Sequence, residues 1–354
     1  MASMRKLRVL VLVHDLLLPP PDAEELDWEQ TYDYQMELDV QQTLRGLGHE
    51  VEMLGVTDDL SEIAAAVERF RPHIAFNVMT DFHDITAYES HVVSYLELLK
   101  VPYTGCNPRG ILLGNDKALC KKILTWHGVR CPAFTSFEPG TKKARLPKGV
   151  DYPVIVKSAI EHGSTGLSQA SVVYDEAHLR KRVAYMFDKV GGEVIAEQFI
   201  PGRELTVSVV GNGSRLHVLP VWEVWYDKLP KGKHAIATEQ VKWDVDYAQS
   251  IGIKTGKARK LSTGKQREVQ RIARDAYRAL GLSGYGRMDM RMDERGDVYV
   301  IEANVNPDLT EIEDFSEAAA AYGWDYGELL QQIVNAGLRY PAPWKRGPNK
   351  KYDA

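Results

Sequence analysis

Cysteine is scarce in this chain. Cys106, Cys120 and Cys131 are the three in 354 residues, with no even framework and no metal-type spacing. That excludes a disulfide-stapled scaffold and a thiolate metal knuckle, and leaves reduced, structural thiols of a cytoplasmic protein as the expectation. Long apolar runs are missing as well. Met1-Ala2-Ser3-Met4-Arg5 has no signal-peptide core, and the run from Leu7 to Val13 is too short to span a membrane. Met4 reads as the native start, with three residues added before it. Excess positive charge is absent: the net charge is -5 and the pI about 6.1, which argues against a general nucleic-acid binder. Two phosphate-binding signatures are absent too. No Gly-Lys-Ser/Thr closes a P-loop, and no Gly-x-Gly-x-x-Gly follows the first strand.

With 44% hydrophobic residues the chain can bury a substantial core, and its length predicts two or three domains. Leu7–Val13 reads as a strand. Tyr34–Leu47 is helical in period and stops at Gly48, His49–Val56 is a second strand, Leu60–Phe70 a helix, and His73–Met79 a third strand. Such alternation predicts a parallel sheet covered by helices. The Pro-rich acidic segment between the first strand and helix reads either as a surface loop or as a lid at the carboxyl end of a strand.

Residues 286–310 are the most informative. Gly286–Met292 and Asp297–Asn304 alternate as strands do, and Asp293-Glu294-Arg295-Gly296 supplies the turn. Residues two apart share a face, so Arg287 pairs in direction with Asp289, and Glu302 with Asn304. A hairpin there gathers two carboxylates and an amide oxygen beside one arginine. Such hard oxygen ligands suit Mg²⁺ held together with substrate phosphates; the alternative is a surface hairpin of solvated charges.

Upstream, Lys117 opens a lysine-rich helix, and Lys157 sits deep in the apolar run Val154–Ile160, where it needs an anionic partner. Glu161-His162-Gly163-Ser164-Thr165-Gly166 is a small-residue loop whose N–H groups could cradle phosphate. Two strand-like runs flank Ile200-Pro201-Gly202-Arg203. Glu197 and Glu204, with Phe199 and Ile200, then frame an apolar slot with two acceptors, as an adenosine requires. An ordinary hairpin with exposed glutamates is the alternative.

The order Lys117, Pro153-Val-Ile-Val-Lys157, Gly163-Ser-Thr-Gly166, Glu197-Gln-Phe-Ile-Pro-Gly-Arg-Glu204, Gly286-Arg-Met-Asp289 and Glu302-Ala-Asn-Val-Asn-Pro307 resembles the ATP-grasp superfamily, most closely its D-alanine–D-alanine ligase branch. Leu96–Gly105 resembles the end of that branch's first domain, and the likeness covers roughly residues 5–340. It implies an α/β, ATP-grasp fold with an N-terminal parallel α/β (pre-ATP-grasp) domain at 1–113, a central subdomain at 114–205, a C-terminal subdomain with the metal site at 206–340 and a tail at 341–354. It implies ATP and two Mg²⁺ ions, with Mn²⁺ as a substitute. Lys117, Lys157, Gly163 and Ser164 would then serve the phosphates, Glu197, Phe199 and Ile200 the adenine, and Glu204 the ribose. Asp289, Glu302 and Asn304 would bind metal. Arg287, with a backbone N–H near Asp308, would stabilise a tetrahedral intermediate, and Lys242, in a mobile-loop segment, would approach the phosphates with Ser164.

Three departures bear on substrate. The Gly-rich stretch and the glutamate that hold the first alanine's amine are replaced by His14–Pro21. The serine pair of the phosphate loop is Gly163 then Ser164, and the loop tyrosine aligns with Trp243. The serine and leucine that dock the second alanine's carboxylate align within Glu311-Ile312-Glu313-Asp314, whose charges would repel a carboxylate and favour a cation. An acidic helix start explains the same run. The expectation is an ATP-dependent carboxylate–amine ligase for an amino acid, peptide or natural-product carboxylate, acting through an acyl phosphate. Its partners would be small-molecule or peptide carboxylates and amines, without nucleic acid or membrane; a homodimer is allowed. The alternatives are a D-alanine–D-alanine or D-alanine–hydroxy-acid ligase, a non-catalytic ATP-binding module, and a carboxylate kinase.

Overall fold

The computed structural model describes residues 5–161 and 163–345. The expected start at Met4, His162 of the small-residue loop, and most of the expected tail lie outside them. The first unit contains β1 (Arg8–His14), α1 (Trp28–Thr31), α2 (Gln35–Gly46), β2 (Glu50–Val56), α3 (Leu60–Phe70), β3 (Ile74–Asn77) and α4 (Glu89–Leu98). Its sheet is parallel, in the order β2-β1-β3, as the alternation predicts. All but the first residue of β1 are buried, since helices cover both faces of such a sheet. The Pro-rich segment is neither strand nor long helix. It folds into two short 3₁₀ turns and α1, whose capping box joins Asp27 and Gln30.

Next come α5 (Pro108–Asn115), α6 (Lys117–Trp126), β4 (Phe134–Phe137), β5 (Val154–Ser158), β6 (Val172–Val173), α7 (Glu176–Lys189) and β7 (Val194–Gln198). The sheet here is antiparallel, ordered β4-β7-β5-β6. The rest is β8 (Arg203–Asn212), β9 (Arg215–Val218), β10 (Trp222–Tyr226), α8 (Glu239–Trp243), α9 (Val245–Ser250), β11 (Ile253–Lys257), α10 (Thr263–Ala279), β12 (Tyr285–Met292), β13 (Val298–Val305), α11 (Asp314–Tyr322) and α12 (Tyr326–Arg339). Its sheet runs β11-β10-β8-β12-β13, with β9 on β8. The 113/114 division falls inside α5 and the 205/206 division inside β8, so neither is a break in the backbone's regular structure. One apolar core runs from Leu10 and Leu12 of β1 to Val300 and Val305 of β13. Helix α12 returns to pack on α2 and β3, tying the end of the described chain to the first unit.

Candidate active site

The β12–β13 hairpin forms with Gly296 at a φ of +83° in its turn. Arg287 lies opposite Asn304 and Asp289 opposite Glu302, with a bulge after Asp289. The expected convergence is therefore a direct cross-strand arrangement. Arg287 donates from Nε and Nη2 to the two oxygens of Asp289 at 2.7 and 2.9 Å, a bidentate pair. Asn304 Nδ2 donates to Asp289 Oδ2 at 2.7 Å. Burial works against the Arg287 cation, but Asp289 outweighs it and raises the guanidinium above its ordinary value. Two carboxylates and an amide oxygen on neighbouring positions make a hard-oxygen set of the kind a divalent cation takes.

Helix α6 brings lysines to the same place. Asp116 caps it through the Leu119 N–H. Lys117 Nζ lies 3.7 Å from Glu302 and donates to the Glu161 carbonyl at 2.7 Å. Burial pulls Lys117 below its usual range, with Glu302 opposing. Lys157, required by its apolar surroundings to find an anion, finds Glu197 at 2.8 Å. Glu197 is 1% exposed and also lies 2.9 Å from Lys121. Burial alone would raise this carboxyl, yet Lys121 and Lys157 together hold it below the ordinary carboxylate range. Glu197 is thus the shared anion of two ammoniums as well as a neighbour of the apolar cluster of Ile155, Val172, Phe199 and Ile236; Ile200 is buried beside it in sequence. Arg291 Nη1 donates to Glu204 at 3.2 Å, and the Arg291 guanidinium stands 5.4 Å over the Phe199 ring.

The small-residue loop is held by the segment leading into α8. Ser164, at a φ of +62°, donates its hydroxyl to the Ala237 carbonyl at 2.8 Å, and the Gly166 N–H goes to Glu239 at 2.9 Å. The Leu167 N–H goes to the Ser164 carbonyl. Of the N–H groups expected to cradle phosphate, that of Gly166 is therefore spent inside the protein. Gly163 faces Trp243: a Cβ there would stand 3.7 Å from the indole. Lys242 and Trp243 are exposed on α8. Leu167–Ala170, which follow this loop, and α8 border a cavity of about 650 Å³.

Beyond Pro307, the N–H groups of Leu309, Thr310 and Glu311 go to Met36 Sδ, Asp308 and Asp39, so none of these three is free for an oxyanion. Glu313 is the N-cap of α11 but makes no side-chain capping bond, and Asp314 opens the helix. Asp314 is half-buried; burial raises it and Arg287 opposes. Glu311 and Glu313 are exposed. Asp314 is thus more than a solvated helix start, whereas Glu311 fits that description.

Lys121, Arg291 and Glu37 were not foreseen. Lys121 follows Lys117 by one helical turn and so shares its face, and Arg291 follows Asp289 by two strand positions. Glu37, 2% exposed in α2, leaves no such trace. Burial first, then the nearby charges of Asp308 and Asp39, push its carboxyl up to about 7.

A parallel α/β unit followed by two antiparallel sheets, with Lys117 of α6 facing Glu302 of β13, defines an ATP-grasp ligase, an enzyme class that forms carbon–nitrogen bonds. The family model described as D-ala D-ala ligase C-terminus matches residues 123–335. The D-alanine–D-alanine ligase of Bordetella avium (strain 197N) is 31% identical over 308 residues, covering 86% of this chain and 90% of that protein. Among solved structures, the D-alanine–D-alanine ligase of Bacillus anthracis complexed with ATP superposes with a TM-score of 0.69 at 21% identity, covering 94% of this chain and 98% of that one. The VanG D-Ala:D-Ser ligase of Enterococcus faecalis gives 0.68 at 16% identity, over 94% and 100%. The chain belongs to the D-alanine–D-alanine ligase family.

Proposed function

We propose that this chain joins an amino-acid carboxylate to an amine at the expense of ATP, with D-alanine as the first substrate to test for both roles. The family's curated members favour that substrate over the different amino acid or natural product expected from the sequence alone. One observation carries the chemistry: Arg287, Asp289, Glu302 and Asn304 stand on facing strand positions with Lys117 at 3.7 Å from Glu302.

A carboxylate is a poor electrophile because its leaving group would be oxide. Attack of its oxygen on the γ-phosphorus gives an acyl phosphate and ADP. The amine nitrogen then attacks the acyl carbon, phosphate departs with the electron pair of the C–O bond, and the nitrogen loses a proton. Phosphoryl transfer needs positioning and positive charge more than covalent help. In this reading Lys117 and Lys157 neutralise phosphate oxygens, exchanging their present carboxylate partners for the nucleotide. Phe199 and Ile200 line the base, Glu197 accepts from its amine and Glu204 holds the ribose. Lys242 and Ser164 close over the phosphates. Asp289, Glu302 and Asn304 would hold Mg²⁺, which supplies charge neutralisation between phosphate oxygens. Arg287 donates to the oxygen of the tetrahedral intermediate; one such donor is typically worth about 10²–10³ in rate.

A second reading concerns the acceptor. Asp314, half-buried next to Arg287, supports an amine that brings no carboxylate to this end, with Asp308, Glu311 and Glu313 adding to the negative field. Incubation with ATP, Mg²⁺ and D-alanine, followed by nucleotide analysis and mass spectrometry of the product, tests both readings. ADP, phosphate and D-alanyl-D-alanine support the first. ADP release only when another amine is supplied supports the second. AMP as the main product overturns the acyl-phosphate route.

A further inference from the structure

We infer a second binding site, for a small multivalent anion, in the cavity where the β8–β9 hairpin meets the ends of α5, α10 and α12. The cavity measures about 820 Å³, within the range of small-molecule sites, and none of its lining residues belongs to the constellation around Arg287. Four arginines line it: Arg109, Arg215, Arg278 and Arg339. No aspartate or glutamate does. In a chain of net charge -5 that separation of sign is unexpected. None of the four makes an ion pair or a side-chain hydrogen bond among the described residues.

Helix dipoles account for part of this set only. Arg278 and Arg339 stand in the last turns of α10 and α12, where a cation is favoured. Arg109 is the second residue of α5, where the helix end is itself positive and a cation is disfavoured. Arg215 opens a strand and has no dipole to answer. Four exposed guanidiniums from four separate elements face one concavity, where an anion can meet more than one of them. Guanidinium forks match phosphate and carboxylate oxygens bidentately.

The frame is held in place. Asn212 donates to the Ala336 carbonyl at 2.7 Å and accepts from the Gly284 N–H at 2.9 Å, locking the hairpin to α12 and to the strand entering β12. Tyr277 donates to the Gly211 carbonyl at 3.0 Å, and the Asn107 N–H goes to Ser283 at 2.9 Å. Gly213, at a φ of +56° at the hairpin tip, has open space where a Cβ would be, so nothing fills the mouth there. A concave site of this size selects a compact ligand over an extended polyanion.

The probe is inorganic pyrophosphate, titrated calorimetrically without divalent metal, with citrate as a second arm. Lys157→Ala serves as the background, because it weakens anion binding at the proposed nucleotide site. Arg215→Gln with Arg339→Gln, both exposed positions, is added to it. The expected result is a saturable pyrophosphate or citrate isotherm in the Lys157→Ala protein that weakens by at least about tenfold in the arginine variant, with an unchanged thermal melt when no anion is present. Binding of pyrophosphate alone identifies phosphate recognition, and binding of citrate alone or of both identifies recognition of clustered negative charge. Equal affinity with and without the two arginines overturns the proposal. So does the lack of any isotherm at millimolar anion, or much tighter binding of an RNA oligonucleotide lost in the same variant, which would mark a macromolecular surface.

Discussion

Asn306 Nδ2 donates to Glu89 Oε1 at 2.8 Å, joining residues 217 apart in sequence. The Asn306 Oδ1 accepts the Cys106 N–H at 2.8 Å, and Glu89 also accepts from Asn115 Nδ2 at 2.6 Å. Asn306 holds a φ of +49°, and a Cβ on Gly105 would come within 2.4 Å of its amide oxygen. The turn leaving the metal-type hairpin is thereby clamped to the first unit by one buried side chain. Asn306→Ala removes both bonds and leaves the buried Cys106 N–H unsatisfied. It should cost about 2–4 kcal/mol in denaturant unfolding and lower turnover more than ATP affinity. Wild-type stability in that variant would show that the clamp is not structural.

Glu89 also sets a pH dependence. Burial raises its carboxyl to about 7, although the amides of Asn115 and Asn306 favour the ionised form. With a folded value above the unfolded 4.5, the native state binds more protons between them, so stability falls as pH rises through that window and levels off above it. The loss is on the order of 3 kcal/mol for this group. Unfolding free energies at intervals from pH 5 to 8 should slope downward in wild type. Glu89→Gln should be less stable throughout but with a flatter slope, and parallel slopes would rule out Glu89 as the titrating group.

The parallel sheet, the hairpin and the need of Lys157 for an anion were legible because each rests on local pattern or on the cost of burying charge. Strand alternation places Arg287 with Asp289 whatever the rest of the chain does. What stayed hidden depends on contacts distant in sequence. That Glu197 would be shared by Lys121 and Lys157 requires α6 to lie against β7. The commitment of the Gly166 N–H to Glu239 requires the start of α8, 73 residues away in sequence. Glu37 carries no periodic signal, since its burial follows from docking of α2 against the turn at Asp308.

The cross-strand carboxylates give a sharper test. Glu302→Gln keeps the size of the side chain but removes its charge. The metal's charge stabilisation is worth several kcal/mol, so turnover should fall by roughly 10²-fold or more. Activity in the wild type should disappear on chelation and return with Mg²⁺ or Mn²⁺. Turnover that survives both treatments would mean these oxygens hold no catalytic metal.

Asp314 and Glu313 decide between the two acceptor readings. Asp314 is half-buried beside Arg287, where burial raises its carboxyl, and Glu313 stands exposed one residue before it. Near this helix start an incoming carboxylate meets two acids, at about 1 kcal/mol or more for each close like charge at moderate effective dielectric. An amine with a neutral or cationic tail meets attraction instead. Glu313→Ser with Asp314→Leu removes both charges. If the native acceptor lacks a carboxylate here, the double variant should gain affinity for D-alanine as acceptor by about tenfold and lose it for a diamine by a similar factor. If D-alanine is the native acceptor, wild type already forms D-alanyl-D-alanine efficiently, and the variant should leave its apparent acceptor KM unchanged or raise it. Apparent KM for each acceptor class, measured at saturating ATP by ADP release, separates these outcomes. Unchanged selectivity in both directions would reduce Glu313 and Asp314 to acidic residues favoured at the start of α11.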